Sequence, residues 1–417
     1  MLPNRPQPRV THQPIPLGNL DPDAVKVVRR LVRYHHLAYL VGGCVRDLLL
    51  GYRPKDFDVA TSARPPELRQ LFRNCRIIGR RFRLAHMIFP EGKIIEVATF
   101  RRDPPQAQDS DSLLVTRDNV FGDASEDARR RDFTINGLFY DVTGGRIIDY
   151  VNGLPDVERR LVRTIGDPDI RLQEDPLRLL RAIRFTARRD LGMAPDLYAA
   201  GLRHRHLLER AAAPRLFEEV LRLLRGGAAH RSVWLAWEMG ALAEILPELH
   251  DWLGSDPRRA RRTFALLRSA DSLVRSGRTP SDTVFLAALL HGPLVASEDG
   301  GADLGVAIRD KLLRTAERFA IPRTIRENVR QVLIAQRRLA HPEKVRESAL
   351  PRREYYSDAM DFFEITWRAR SGSDGEIDAW RKELAPRIDH STASDTRPRR
   401  RGGRRRAGRR DRGRTAG

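Results

Sequence analysis

Cysteine is nearly absent: the 417-residue chain carries only Cys44 and Cys75. Two thiols cannot build a four-ligand zinc site or a disulfide framework, and a reducing, cytoplasmic setting is expected. Aromatic residues are sparse, at 7%. No stretch reaches the roughly 20 apolar residues that a membrane span needs. The first twenty residues contain prolines but no apolar core, so no secretory signal is expected in them. Acid is outnumbered by base, 55 Asp and Glu against 76 Lys and Arg, for a formal net charge of +21. So basic a surface attracts polyanions, nucleic acid first among them. Charge alone does not separate that reading from lipid or ribosomal surfaces.

What is present fits a soluble globular protein with some extra charge. Hydrophobic residues make up 41% and charged residues 31%, and the length suggests two to four domains with ample core. Residues 1–20 read as a flexible leader. Helical spacing predicts a helix from Asp21 to His36, followed by a strand from Leu37 to Val41, a helix from Val45 to Leu50, and strands at Phe57 to Ala60 and Ile94 to Phe100. The polar stretch from Arg102 to Asn119 reads as a loop. Past Asp156, helical patterns dominate, among them Pro176 to Ala187, Pro214 to Leu224 and Ser232 to Leu246. The expected class is α+β, with a mixed head at 21–150, a helical neck at 151–225, a helical body at 226–386 and a disordered Arg-rich tail at 387–417.

Residues 40–60, LVGGCVRDLLLGYRPKDFDVA, concentrate the chemistry. On an extended strand Asp56 and Asp58 project to one face. Two carboxylates there repel unless a cation lies between them, and hard oxygen ligands favour Mg²⁺ or Mn²⁺. An exposed turn is the bland reading of such a pair. Upstream, Gly42 and Gly43 follow a strand and open a helix, a place where free backbone N–H groups hold phosphate. Arg46, on the first helical turn, is expected to add a charge-assisted contact.

This block resembles the signature of the class II nucleotidyltransferases, which include bacterial poly(A) polymerases and CCA-adding enzymes. The pattern L-V-G-G-x-V-R-D-x-L-L-G followed by D-h-D is met without a mismatch. The resemblance implies a polymerase β-like head. It also implies that Asp56 and Asp58 bind two Mg²⁺ ions, which activate an RNA 3′-hydroxyl and steady the pyrophosphate leaving group. Glu96 and Asp132 are both candidates for a further carboxylate. The alternatives are a buried salt bridge for Glu96 and, for Asp132, an N-cap on a helix from Phe133 to Tyr140. R-R-D-F-T-x-N matches the second family motif, which implies a triphosphate contact for Arg131 and a place near the reacting groups for Asp132.

In EDPLRLLRAIRF, residues 174–185, Arg178, Arg181 and Arg184 stand three apart and stripe one side of a helix. A solvated basic face is the alternative. The block resembles E-D-x-x-R-x-x-R-x-x-R, which implies base recognition by Asp175 and Arg178, with Arg181 and Arg184 supporting that helix or the phosphates. The segment Phe72 to Phe89 resembles its counterpart in bacterial poly(A) polymerases, and its Arg80, Arg81 and Arg83 are candidate RNA contacts. So are the tail arginines Arg399, Arg400, Arg401, Arg404, Arg405 and Arg406. From Arg397 to Arg414 there are eleven arginines and one acid.

The implied activity is addition of AMP from ATP to RNA 3′ ends by a monomer that promotes RNA decay, with ATP, RNA and RNA-decay proteins as partners. CCA addition to tRNA is the alternative, and a non-catalytic RNA-binding protein on the same fold is another. LLHGPL, with His291 followed by Gly292, lacks the adjacent His-Asp of a phosphohydrolase centre.

Overall fold

The computed structural model describes residues 7–79, 83–102, 120–296, 303–341, 345 and 348–371. Alternating apolar residues build one eight-stranded sheet from β1 (Arg9–His12), β2 (Ala38–Val41), β3 (Asp58–Thr61), β4 (Cys75–Ile78), β5 (Leu84–Ile88), β6 (Ile94–Thr99), β7 (Leu138–Asp141) and β8 (Arg146–Asp149). Their spatial order is β1-β8-β7-β2-β3-β6-β5-β4. β3 and β6 run parallel, which sets Asp58 beside Glu96, while the other neighbouring pairs are antiparallel.

The sheet has two unlike faces. Leu40, Val59 and Val97 join a large apolar cluster with α1 (Pro22–Arg33), a cluster that continues through the helices of the neck and body. Val41, Ala60, Phe100 and Phe139 form a small one, covered by Ala124 and Ala128 of α4 (Ala124–Arg129). Side chains two apart on a strand share a face, so Asp58 stands on the side of Ala60, next to the small cluster. Two aromatic contacts stiffen that face: Phe139 meets Tyr39 and Tyr150 edge to face, with centroids 5.9 and 6.0 Å apart.

Beyond the head come α5 (Gly153–Glu158), α6 (Pro168–Glu174), α7 (Leu177–Arg189), α8 (Pro195–His204), α9 (Ala213–Leu224) and α10 (Ala229–Glu238), then, among the described residues, seven further α-helices, the last at Tyr356–Ser371. The chain is a mixed α/β head on a helical body, as expected.

Several local expectations need correction. Residues 9–12 of the supposed flexible leader are a sheet strand, because an edge of β8 offers them backbone partners that no sequence pattern reveals. The helix from Ser232 to Leu246 is two helices, broken at Gly240, whose φ of +71° suits glycine. No helix forms over Phe133 to Tyr140: a 3₁₀ turn at Thr134–Asn136 leads into β7. The stretch 103–119 and the tail lie outside the described residues.

Candidate active site

The turn after β2 positions the first part of the site. Gly42 has φ +72° and ψ −126° and caps α2 (Gly43–Leu49). A Cβ there would lie 3.0 Å from Nη1 of Arg131. The Arg131 guanidinium is held by Asp127 at 2.9 Å and by the Asn136 carbonyl at 3.3 Å, and it rests on the Phe139 ring. Gly42 and Arg131, 89 positions apart in sequence, therefore meet face to face at the end of the sheet that carries Asp58.

Asp58 is the acid most altered by its surroundings. Burial raises its carboxyl to about 6, the neighbouring charges of Glu96 and Asp56 push the same way, and Arg131 opposes them. Asp56 lies just ahead of β3, exposed. The arrangement concentrates negative charge at a desolvated carboxyl, the setting in which a divalent cation gains most. Glu96 does not form the buried salt bridge that was its alternative reading. It is half exposed and pairs with His86 at 3.5 Å, and among the described residues no arginine pairs with it. Among the described residues no set of three His, Cys, Asp or Glu side chains is gathered closely enough to hold a metal ion. The donor set is a pair of aspartates with Glu96 beside them, and it suits a Mg²⁺ ion that keeps water and substrate phosphate among its ligands.

Arg46 departs from expectation. It is 5% exposed, donates to Asp47 at 2.7 and 2.9 Å and to Asn136 at 2.6 Å, and lies 4.8 Å from the Phe185 ring centroid. Every guanidinium nitrogen is engaged within the protein, so it ties α2 to α7 and does not reach out to a phosphate. Asp47 accepts from Arg189 as well.

The neck supplies the other half. Asp132 places both carboxylate oxygens on α7, 3.0 Å from Nε of Arg178 and 2.9 Å from Nε of Arg181. Arg178 also donates to the Arg171 carbonyl at 2.6 Å and to Glu174 at 3.0 Å. Asp175 receives Arg181 at 2.8 Å and Arg215 at 2.9 Å. Burial works to raise the Asp175 carboxyl, and the guanidinium groups of Arg181, Arg215 and Arg178 more than offset it, holding it below the ordinary range. Burial lowers Arg184 to about 10, and it faces the buried Glu219 at 3.6 Å. The stripe is thus no solvated face: side chains of Arg178, Arg181 and Arg184 are 11%, 16% and 16% exposed. It is a buried ion-pair lattice joining head to neck.

Residues 38–163 match the poly A polymerase head domain, 190–253 the probable RNA and SrmB-binding site of polymerase A, and 302–415 the polymerase A arginine-rich C-terminus. Poly(A) polymerase I of Salmonella typhimurium is 37% identical over 377 residues, covering 86% of this chain and 80% of that protein. The chain belongs to the poly(A) polymerase family. It is a nucleotidyltransferase, as these relatives are. The CCA-adding enzyme of Bacillus licheniformis is 36% identical over 222 residues, 53% of this chain and 55% of that one. Among solved structures, the Bacillus stearothermophilus CCA-adding enzyme in complex with CTP superposes with a TM-score of 0.65 at 26% identity, covering 88% of this chain and 82% of that chain.

Two residues of this poly(A) polymerase family member escaped sequence reasoning. Arg188 is lowered by burial and by Arg189, against the pull of Asp47 and Asp56, so it stands near Asp56. It lies seven residues past Arg181, two helical turns, so the same helix side carries it, although the three-residue step of the stripe falls on Ala187. Arg215 had no signal, since α9 reads as structural. Of the candidate RNA contacts, Arg83 is exposed. Arg80, Arg81 and the tail arginines Arg399 to Arg406 lie outside the described residues.

Proposed function

We propose that the protein adds AMP from ATP to RNA 3′ ends without a template and releases pyrophosphate. One observation carries the choice of adenylate: similarity to poly(A) polymerase I spans 86% of the chain, and the arginine-rich C-terminal family covers 302–415. The CCA-adding relatives match only about half, 53% for the Bacillus licheniformis enzyme.

In this reading Asp56 and Asp58 hold Mg²⁺, with Glu96 the nearest further carboxylate. When bound, the divalent ions activate the 3′-hydroxyl and neutralise the leaving pyrophosphate. The Gly42–Gly43 turn leaves room for a triphosphate against backbone N–H groups, and Arg131 contributes positive charge beside it. Asp175 and Arg178 read the base edge, and Arg181 and Arg184 fix their helix. Asp132 positions Arg178 and Arg181 from the head side, so the base reader and the chemistry share one rigid frame. RNA follows the exposed Arg83 and the arginines of the tail, and a role in RNA decay fits a protein that marks 3′ ends.

CCA addition is the second reading, favoured by the superposition on the CTP-bound CCA-adding enzyme. Offering each of the four nucleoside triphosphates with a generic RNA and with tRNA lacking CCA decides between them. Long adenylate tracts on both primers support the proposal. Addition of two C and one A to the tRNA alone overturns the adenylate assignment. Failure to extend either primer under Mg²⁺ or Mn²⁺ leaves an RNA-binding protein.

A further inference from the structure

A cleft among the described residues lies away from Asp58. It is an open cleft of about 920 Å³ between α5, the 163–167 loop and α6. That volume is at the upper end of the range for small-molecule sites. Four arginines and two aspartates line it, over an apolar floor that includes Val151 and Ile165, with the Tyr150 ring at one side.

Its arginines divide by task. Arg171 donates to the carbonyls of Arg130 and Arg131 at 3.1 and 2.8 Å, and Arg163 is held by Asp156 and Asp196 at 3.3 and 3.2 Å. The exposed Arg129 and Arg159 have no hydrogen-bond or ion-pair partner for their guanidinium groups among the described residues. Two free cations thus flank a floor with a half-buried aromatic ring. A ligand carrying both phosphate and a planar base satisfies both features: guanidinium groups pair with phosphate, and bases stack on aromatic side chains. An acidic peptide would use the cations and leave the aromatic floor without a matching group.

The cleft is separate from the catalytic face. Neither Asp56, Asp58 and Arg131 nor the base-reading pair Asp175 and Arg178 lines it. The segment Arg130–Thr134 is the wall between them, with the Arg131 side chain turned to Gly42 and Arg171 fastening its carbonyl from the cleft side.

We propose that this cleft is an accessory nucleotide site, with Arg129 and Arg159 on phosphate and the base against Tyr150. The nucleotide belongs either to RNA upstream of the growing end or to a second free nucleoside triphosphate. The inference draws on the transferase reading only for the presence of these ligands, and its test needs no turnover.

The test compares the full-length protein with an Arg129→Glu/Arg159→Glu variant, and with an Arg29→Glu/Arg33→Glu control that makes the same charge change on exposed positions of α1. In one arm a labelled 20-nucleotide oligoadenylate is titrated across a salt series. In the other, equilibrium dialysis counts bound non-hydrolysable ATP analogue. If the source is RNA, losing two phosphate contacts flattens the log K against log[salt] slope by about 1.4 and weakens binding about 25-fold at 0.1 M salt, while the control keeps the wild-type slope. If the source is free nucleotide, the variant binds one analogue fewer than wild type and control. A folded variant, by circular dichroism, that matches the control in both arms overturns the proposal. A wild-type protein that fails to extend RNA would sink the transferase reading and leave these binding results standing.

Discussion

Replacing Asp58 by asparagine tests the electrostatics of the site without reference to catalysis. The Asp58 carboxyl is raised from 3.8 to about 6, by burial first and then by Glu96 and Asp56. A shift of about 2 units means that holding the charge costs the folded metal-free protein about 3 kcal/mol once the group is fully ionised. The sign follows from the raised folded value. The penalty is complete above pH 6, falls as pH drops from 6 towards 4, and disappears once the group is protonated in both states. Asp58→Asn removes it at every pH. In metal-free buffer at pH 8 the variant should therefore melt higher than wild type, by roughly 3 °C for a chain of this length unfolding as one unit, at about 2 cal/mol/K of unfolding entropy per residue. At pH 4 the two should nearly coincide. Mg²⁺ should raise the wild-type melting temperature and leave the variant nearly unmoved, because a ligand that binds only the native protein stabilises it. Extension activity should fall by several orders of magnitude. Scanning calorimetry at both pH values, with and without Mg²⁺, reads all of this. A variant that melts with wild type at pH 8, or that gains equally at pH 4, would refute the assignment of a strained carboxyl at this position.

Arg178→Ala should lose ATP over CTP discrimination about ten- to a hundredfold, since a good polar base contact is worth roughly 1–3 kcal/mol; equal slowing with both nucleotides in single-turnover assays would make Arg178 a positioning residue only. Asp47→Asn strands the buried Arg46 and frees Arg189, so denaturant titration should show a loss of about 3 kcal/mol, and a change under about 0.5 kcal/mol, the scale of an ordinary surface substitution, would contradict the buried-network account. Truncation after Ala393 should flatten the salt dependence of RNA binding by several units, at about 0.7 per phosphate contact, while the chemical step on saturating primer stays unchanged; an unaltered slope would show that the tail is no RNA arm.

The layout of the head's candidate site was legible because it is local. Gly42, Asp56 and Asp58 fall in one stretch of residues 40–60, where strand, turn and helix signals follow one another closely. Arg178 and Arg181 were legible as a stripe, but their partner was not, because Asp132 reaches them only through the fold. Arg46 misled for a related reason. Its place on a first helical turn suggested phosphate, while Asp47 and Asn136, the latter 90 positions away, engage each guanidinium nitrogen and the Phe185 ring lies against it. Strands β4, β5, β7 and β8 were not read from the sequence, although at four or five residues they are no shorter than β2 and β3, which were. Runs that short depend on neighbours more than on their own pattern.

The strand at Arg9–His12 has a consequence for the order in which the head is made. Its partner, β8, is paired Arg9 to Asp149 and His12 to Arg146, so on the ribosome the first strand of the sheet waits for nearly the whole head before its hydrogen bonds can form. Until then the β8 edge is the natural template for any other extended chain nearby. The polar, proline-containing stretch around β1 suits that wait, since it stays hydrated alone and docks late, with the Ile15 amide donating to the Tyr140 hydroxyl at 2.9 Å. A head synthesised without its first twenty residues would fold around the same Gly42 turn yet carry a permanently open edge, and its tendency to pair with its own kind would be set by four residues of backbone.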